Sequence, residues 1–273
     1  MDFHEIALKE MRRRKYSPRT IETYLYCINR FLNRTQKEVS KISKVDVKKY
    51  LYELSERNKS GNTINIHLNA IRFLLEDILN KNMKLNIKYS KTPKKLPTFL
   101  TREEIRKLLN AISNWKHRLM IEFLYGSGLR VGELINIRVK DININEGYVF
   151  VRNGKGKKDR IIVLAKVVIE KIKNLIEIEQ LESEDFLFRT NREESYSVKS
   201  IQEIIKKAAK ISGIKKEIHP HTLRHSFATH LIERGNTLSE VQGILGHKSP
   251  ETSMIYVHMA SPKLLSVKSP LDN

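Results

Sequence analysis

The chain has 273 residues, long enough to bury a substantial core and to divide into two domains. Its 51 Lys and Arg against 31 Asp and Glu leave a formal charge of +20, an excess that points to a polyanionic partner rather than to any fold. Cys27 is the single cysteine, which excludes an intrachain disulfide and a cysteine-based zinc cluster, and no apolar run is long enough to span a membrane.

The N-terminus, MDFHEIALKEMRRRKYS, spreads charges through its length and has no apolar h-region, so no secretory signal is read there and a cytoplasmic protein is expected. Ser17-Pro18 opens a helix whose Ile21, Tyr24, Leu25, Ile28 and Leu32 recur at three- and four-residue spacing. Val45, Leu51 and Leu54 mark a second helix, and Ile64, Leu68, Ile71 and Leu75 a third, with Ser60-Gly61-Asn62 as the turn between them. The pattern predicts a small all-helical domain of four or so helices over 1–85. Residues 86–97, NIKYSKTPKKLP, carry four lysines and two prolines and read as a basic linker. Up to its end the chain holds 22 basic and 10 acidic residues, so the smaller half is the more densely charged.

A second domain is expected over 98–273. Thr101-Arg-Glu-Glu104 is a capping box that opens a helix through Leu109. A helix over 117–125 ends at Gly126-Ser-Gly128, and another starts near Arg130. The period then drops to two. Tyr148–Val151 and Arg160–Val163 flank a glycine- and lysine-rich tip, which reads as a β-hairpin. Helices resume at 166–180, 198–211, about 222–234 and 238–245. The expected fold class is mainly α with two domains, the second carrying a small antiparallel β-sheet.

The stretch HPHTLRHSFATH (219–230) holds four of the nine histidines. On a helix, successive side chains turn by about 100°, which sets His221 and His225 about 40° apart, Arg224 about 60° to the other side of His221 and His230 about 180° away. Four histidines do not converge from such a helix, and a metal would face the charge of Arg224. The zincin motif also needs Glu where Thr222 stands, so no metal site is expected. GSGLRVG (126–132) has its third glycine one position late for a dinucleotide fingerprint, and GKGKKD (154–159) lacks the spacing of a phosphate-binding loop, so no nucleotide cofactor is expected either. Arg130, a hairpin lysine, His221 and Arg224 suit a phosphate instead. Arginines clamp its oxygens, a lysine protonates a leaving oxygen and histidines relay protons. Taken singly, each has a plainer reading as a packing or solvated side chain, which is the reading kept for His225 and His230.

GLRVGEL (128–134), GKGKKDR (154–160), HTLRHSFATHL (221–231), LGHKS (245–249) and Tyr256, in this order and spacing, resemble the tyrosine site-specific recombinases, nearest to the Xer type and its archaeal branch. SPRTIETYLYCINRFL (17–32) and TINIHLNAIRFLL (63–75) resemble the family's helical core-binding, SAM-like domain, and LPTFLTREEIRKLL (96–109) the entry into its catalytic domain. The resemblance implies Arg130, Lys155, His221, Arg224, His247 and Tyr256 as the catalytic set, with Tyr256 the nucleophile that forms an O-(3′-phospho-DNA)-tyrosine and Lys155 the general acid. Glu133 matches a further acidic position, expected to orient an arginine. Ser249-Pro250 reads as an N-cap with Pro at N1, starting the helix that presents Tyr256.

The resemblance further implies double-stranded DNA with a specific recombination site as partner and no cofactor. It also implies a dimer on each site, a tetramer in the synapse, and a C-terminal tail, Lys263–Val267, docking in trans. Chromosome dimer resolution is the expected process. A phage or transposon integrase, a relaxing enzyme of the type IB topoisomerase kind and a non-catalytic DNA-binding protein are the alternatives.

Overall fold

A computed structural model describes residues 3–79, 85–93, 96–152 and 159–246. Its internal contacts divide the chain into two compact units, Met1–Lys95 and Leu96–Asn273, each built on its own apolar core.

In the first unit, α1 (Phe3–Arg13), α2 (Pro18–Thr35), α3 (Lys44–Glu56) and α4 (Gly61–Arg72) pack around Ile28, Phe31, Leu54, Leu68 and Ile71. Three serine caps start α2, α3 and α4. Ser17 accepts the Thr20 N–H and Ser60 the Thr63 N–H, while Ser43 and Asp46 cap each other reciprocally. Beyond Arg72, α4 widens into a π-helical turn, Phe73–Ile78, where Leu79 N–H reaches the Leu74 carbonyl at 3.1 Å.

One sequence expectation needs correcting here, and one helix is newly placed. Helix α1 supplies the fourth of the four or so helices expected, one that the pattern did not place. It buries only Ala7 and Met11, four positions apart, and the charges between them hide that narrow stripe. The inward face of α3 is Val47, Tyr50, Leu51 and Leu54, whereas Val45 is 72% exposed. Spacings of three, four and seven from Val47 give a single stripe that Val45 does not join.

Polar groups inside this core are matched. The Tyr50 hydroxyl meets Nδ1 of buried His67 at 3.1 Å. Burial, helped by the nearby Arg30 charge, pushes His67 down to about 4, so the ring is neutral at pH 7. Burial likewise pushes the Cys27 thiol up to about 11.

After α4 the chain does not leave as a free spacer. Leu85 N–H donates to Glu76 Oε1, and Arg72 Nη2 donates to the carbonyls of Leu85 and Ile87 at 2.9 and 2.7 Å. Asn65 pairs with both backbone groups of Ser90, accepting its N–H at 2.8 Å and donating to its carbonyl at 3.0 Å. Arg72 also stacks on Tyr89, whose hydroxyl donates to Asn69. The Lys91 carbonyl lies 2.5 Å from where a Cβ on Gly61 would sit, so only glycine lets the strap pass the start of α4.

In the second unit, α5 (Arg102–Asn110) begins at the expected capping box of Thr101 and Glu104. Helices α6 (Trp115–Ser127) and α7 (Val131–Leu134) follow, then strands β1 (Ile142–Asn143), β2 (Tyr148–Val151) and β3 (Arg160–Val163). The strands form an antiparallel sheet in the order β1-β2-β3, with Val149 opposite Ile162 and Val151 opposite Arg160. Four helices complete the unit: α8 (Lys166–Glu179), α9 (Val198–Ile211), α10 (Pro220–Glu233) and α11 (Leu238–Leu245). Helix α6 buries Leu119, Met120, Ile121, Phe123 and Leu124, which cover more than one face, so it runs through the core rather than over it. Helix α10 packs on it and buries polar residues as well, among them Thr222, Arg224, Ser226 and His230. Ser226 ties the entry segment to α10: its hydroxyl accepts the Leu100 N–H at 2.8 Å and donates to the Thr222 carbonyl. Among the described residues no helix is long and apolar enough to cross a membrane.

Candidate active site

Arg130 is the N-cap of α7, and Glu133 lies one turn in. The Glu133 carboxylate accepts four hydrogen bonds. Oε2 takes the Arg130 backbone N–H at 2.9 Å and Oε1 the Arg130 Nη1 at 2.8 Å. Arg160, at the start of β3, adds a two-pronged pair, Nη1 to Oε1 at 2.9 Å and Nη2 to Oε2 at 2.7 Å. The three side chains are 20%, 9% and 12% exposed for Arg130, Glu133 and Arg160. Burial works against the ionised carboxylate, but the hydrogen bonds and charges of Arg160 and Arg130 outweigh it and hold Glu133 at about 2. Arg160 Nε is buried with no partner among the described residues.

Arg224 is anchored differently. Its side chain is 3% exposed on α10, with Nη1 on the Gly128 carbonyl at 2.5 Å and Nη2 on the Leu245 carbonyl at 2.7 Å. Gly128 caps α6 in the left-handed conformation, φ +62°, and a Cβ there would meet the Phe227 ring at 2.4 Å. One guanidinium therefore ties the turn that leads into Arg130 to the helix end that leads toward His247.

The histidines divide as helix geometry predicts. His221 is exposed at the start of α10, and its ring centroid is 6.5 Å from that of His225. Burial, with the neighbouring His221 and Arg224, pushes His225 down to about 4. His230 is buried and meets the Tyr125 hydroxyl through Nδ1 at 2.8 Å, in keeping with a packing role. Among the described residues no three His, Cys, Asp or Glu side chains gather as metal ligands. Lys155, His247 and Tyr256 lie outside the described residues, as do the Ser249-Pro250 cap and the tail Lys263–Val267. Arg224 is thus tied to the turn that ends α6, two residues before Arg130 and its partner Glu133, and His221 stands on the same helix as Arg224.

Residues 98–262 match the profile of the Phage integrase family, and residues 3–85 that of the phage integrase N-terminal SAM-like domain. The chain belongs to the phage integrase family. It is a Xer-type tyrosine recombinase, an enzyme of site-specific DNA strand transfer. The tyrosine recombinase XerA of Pyrococcus horikoshii is 33% identical over 253 residues, covering 91% of this chain and 86% of its own. The tyrosine recombinase XerD of Oceanobacillus iheyensis is 37% identical over 239 residues, 82% of this chain and 80% of its own. The fold is similar to that of a XerH recombinase crystallised on palindromic difH substrate after cleavage, with a TM-score of 0.79 and 26% identity over 95% of this chain and 82% of that one.

Arg160 is the site residue that sequence reasoning passed over in this recombinase. A signal for it existed. In β3 the inward positions are Arg160 and Ile162, the latter 2% exposed, and an arginine on the inward face of a strand needs a buried anion. Glu133 was expected to orient an arginine; in the fold it holds two.

Proposed function

We propose that the recombinase cuts and rejoins a specific DNA site through Tyr256, with Arg130, Arg224, His221 and His247 around the scissile phosphate. The Tyr256 phenol loses its proton to a neighbouring base or water, and its oxygen forms a bond to phosphorus as the bond to the 5′-oxygen breaks, leaving a 3′-phosphotyrosine. Lys155 gives a proton to the departing 5′-oxygen, and the 5′-hydroxyl of a partner strand reverses both steps. A phenol with a reference pKa near 10 needs a base or a cationic neighbourhood to attack at neutral pH, and Arg130, Arg224 and His221 supply positive field. The phosphotyrosine retains the bond energy, so strand joining draws on no nucleotide cofactor. The observation that carries this reading is the buried Arg224 guanidinium, fixed between the Gly128 and Leu245 carbonyls beside the turn that presents Arg130.

The partner is duplex DNA, in keeping with the +20 charge and with the XerH relative crystallised on its difH substrate. Two protomers occupy one site and four the synapse, with Lys263–Val267 docking on a neighbour. The process is chromosome dimer resolution, which the Xer names of the relatives favour. The test is a nicked substrate carrying the cognate site, which traps cleavage as a covalent protein–DNA adduct. Wild type accumulates the adduct and Tyr256→Phe does not; an adduct that persists in Tyr256→Phe overturns the assignment.

A further inference from the structure

The Arg130–Glu133–Arg160 cluster holds two guanidinium cations on one carboxylate. A carboxylate offers about four lone-pair directions, and an arginine about five N–H donors. Arg160 occupies two of those directions, and the Arg130 backbone N–H takes a third. Glu133 therefore has room for a single guanidinium N–H of Arg130, from Nη1 at 2.8 Å. The remaining donors of Arg130 have no partner among the described residues. Without Arg160, the same buried carboxylate would be open to a two-pronged grip on Arg130, the geometry that arginine and carboxylate favour.

Charge leads the same way. Two cations and one anion leave the cluster at +1, and removing Arg160 leaves it neutral beside the Arg130 donors. Arg160 also fixes its neighbours. It is the first residue of β3, five positions after Lys155 in the sequence. Its Cδ lies 3.1 Å from where a Cβ on Gly246 would sit, one residue before His247.

We infer that Arg160 is a positioning residue for strand cleavage: by saturating Glu133 it keeps Arg130 singly tethered and turned to the scissile phosphate. This rests on the reading that Arg130 binds that phosphate. The motifs quoted for this chain include all three residues but give Arg160 no role of its own.

The experiment is a suppression test, measuring the rate of adduct formation on the nicked substrate with DNA affinity measured in parallel. Arg160→Ala is expected to slow cleavage by about tenfold to a hundredfold, the scale of a lost charge-assisted interaction. Glu133→Gln in that background returns the cluster to +1 and is expected to recover at least about threefold, although Glu133→Gln alone slows the wild type. A support for local structure alone predicts no recovery, because the double variant loses both partners. Arg160→Lys keeps the charge but not the fork, so its deficit is smaller and is likewise relieved by Glu133→Gln; this pair is compared if Arg160→Ala does not fold. Wild-type cleavage by Arg160→Ala, or a double variant no faster than its Arg160 parent, overturns the inference. Wild-type cleavage by Arg130→Ala overturns the underlying reading instead.

Discussion

Gly128 is where fold and site meet, and Gly128→Ala probes both. The residue caps α6 at φ +62°, a conformation that costs an L-residue about 1–2 kcal/mol. The added methyl would sit 2.4 and 2.7 Å from two Phe227 ring carbons and 2.9 Å from Leu245 Cδ2. Relieving such overlap in a packed core costs about 1–3 kcal/mol, so the expected total is about 2–5 kcal/mol. Trp115 is the only tryptophan and stands at the start of the helix that Gly128 ends, so its fluorescence follows this unit alone in a guanidinium titration. Gly126→Ala is the control. That glycine is helical with nothing within 4 Å of an added Cβ, and alanine there should stabilise by about 0.5–1 kcal/mol. Cleavage should fall further than stability, because the Gly128 carbonyl holds Arg224. A Gly128→Ala variant within about 0.5 kcal/mol of wild type would refute the packing argument.

In the first unit, His67 is neutral when folded because burial holds it at about 4, whereas the unfolded ring protonates near 6.5. The folded state therefore has its full stability above about pH 6.5 and loses it as pH falls toward 4. Denaturation followed by circular dichroism at pH 7 and pH 5 should show this loss, and His67→Gln should reduce it; an unchanged difference contradicts the assignment. Asn65→Ala removes both bonds to Ser90, each worth about 0.5–1.5 kcal/mol, so trypsin should cut after the exposed Lys88 and Lys91 several-fold faster. Equal cutting rates would mean that the strap is not held by Asn65.

Much of the second unit was legible in residue patterns, because its signals are local. The Thr101 and Glu104 capping box and the alternation of Tyr148–Val151 and Arg160–Val163 each declare an element without reference to the rest of the chain. Helix α10 begins at Pro220, two residues before the expected start, because proline fits the first turn. In the first unit, the fourth expected helix, α1, went unplaced for want of a wide apolar stripe, and Val45 was taken for Val47. The site is harder to read. His-x-x-Arg and Gly-Leu-Arg can be quoted from sequence, but the reason Arg224 tolerates burial lies in two carbonyls 96 and 21 residues away. The Glu133–Arg160 pair spans 27 residues and joins a helix to a strand. Such long-range pairings leave no periodic trace.

The strap from Leu85 to Lys91 bears on how this recombinase can be recombined in the laboratory. A hybrid enzyme joined after residue 85, where the SAM-like profile ends, would exchange Tyr89 and Ser90 while keeping Asn65, Asn69 and Arg72. Its first unit would be left with three polar side chains evolved for a segment now supplied by another parent. A joint at Thr92–Pro93 transfers the strap intact with the helix it clasps. Donor pairs that fail at the first seam should be retried at the second before their units are judged incompatible.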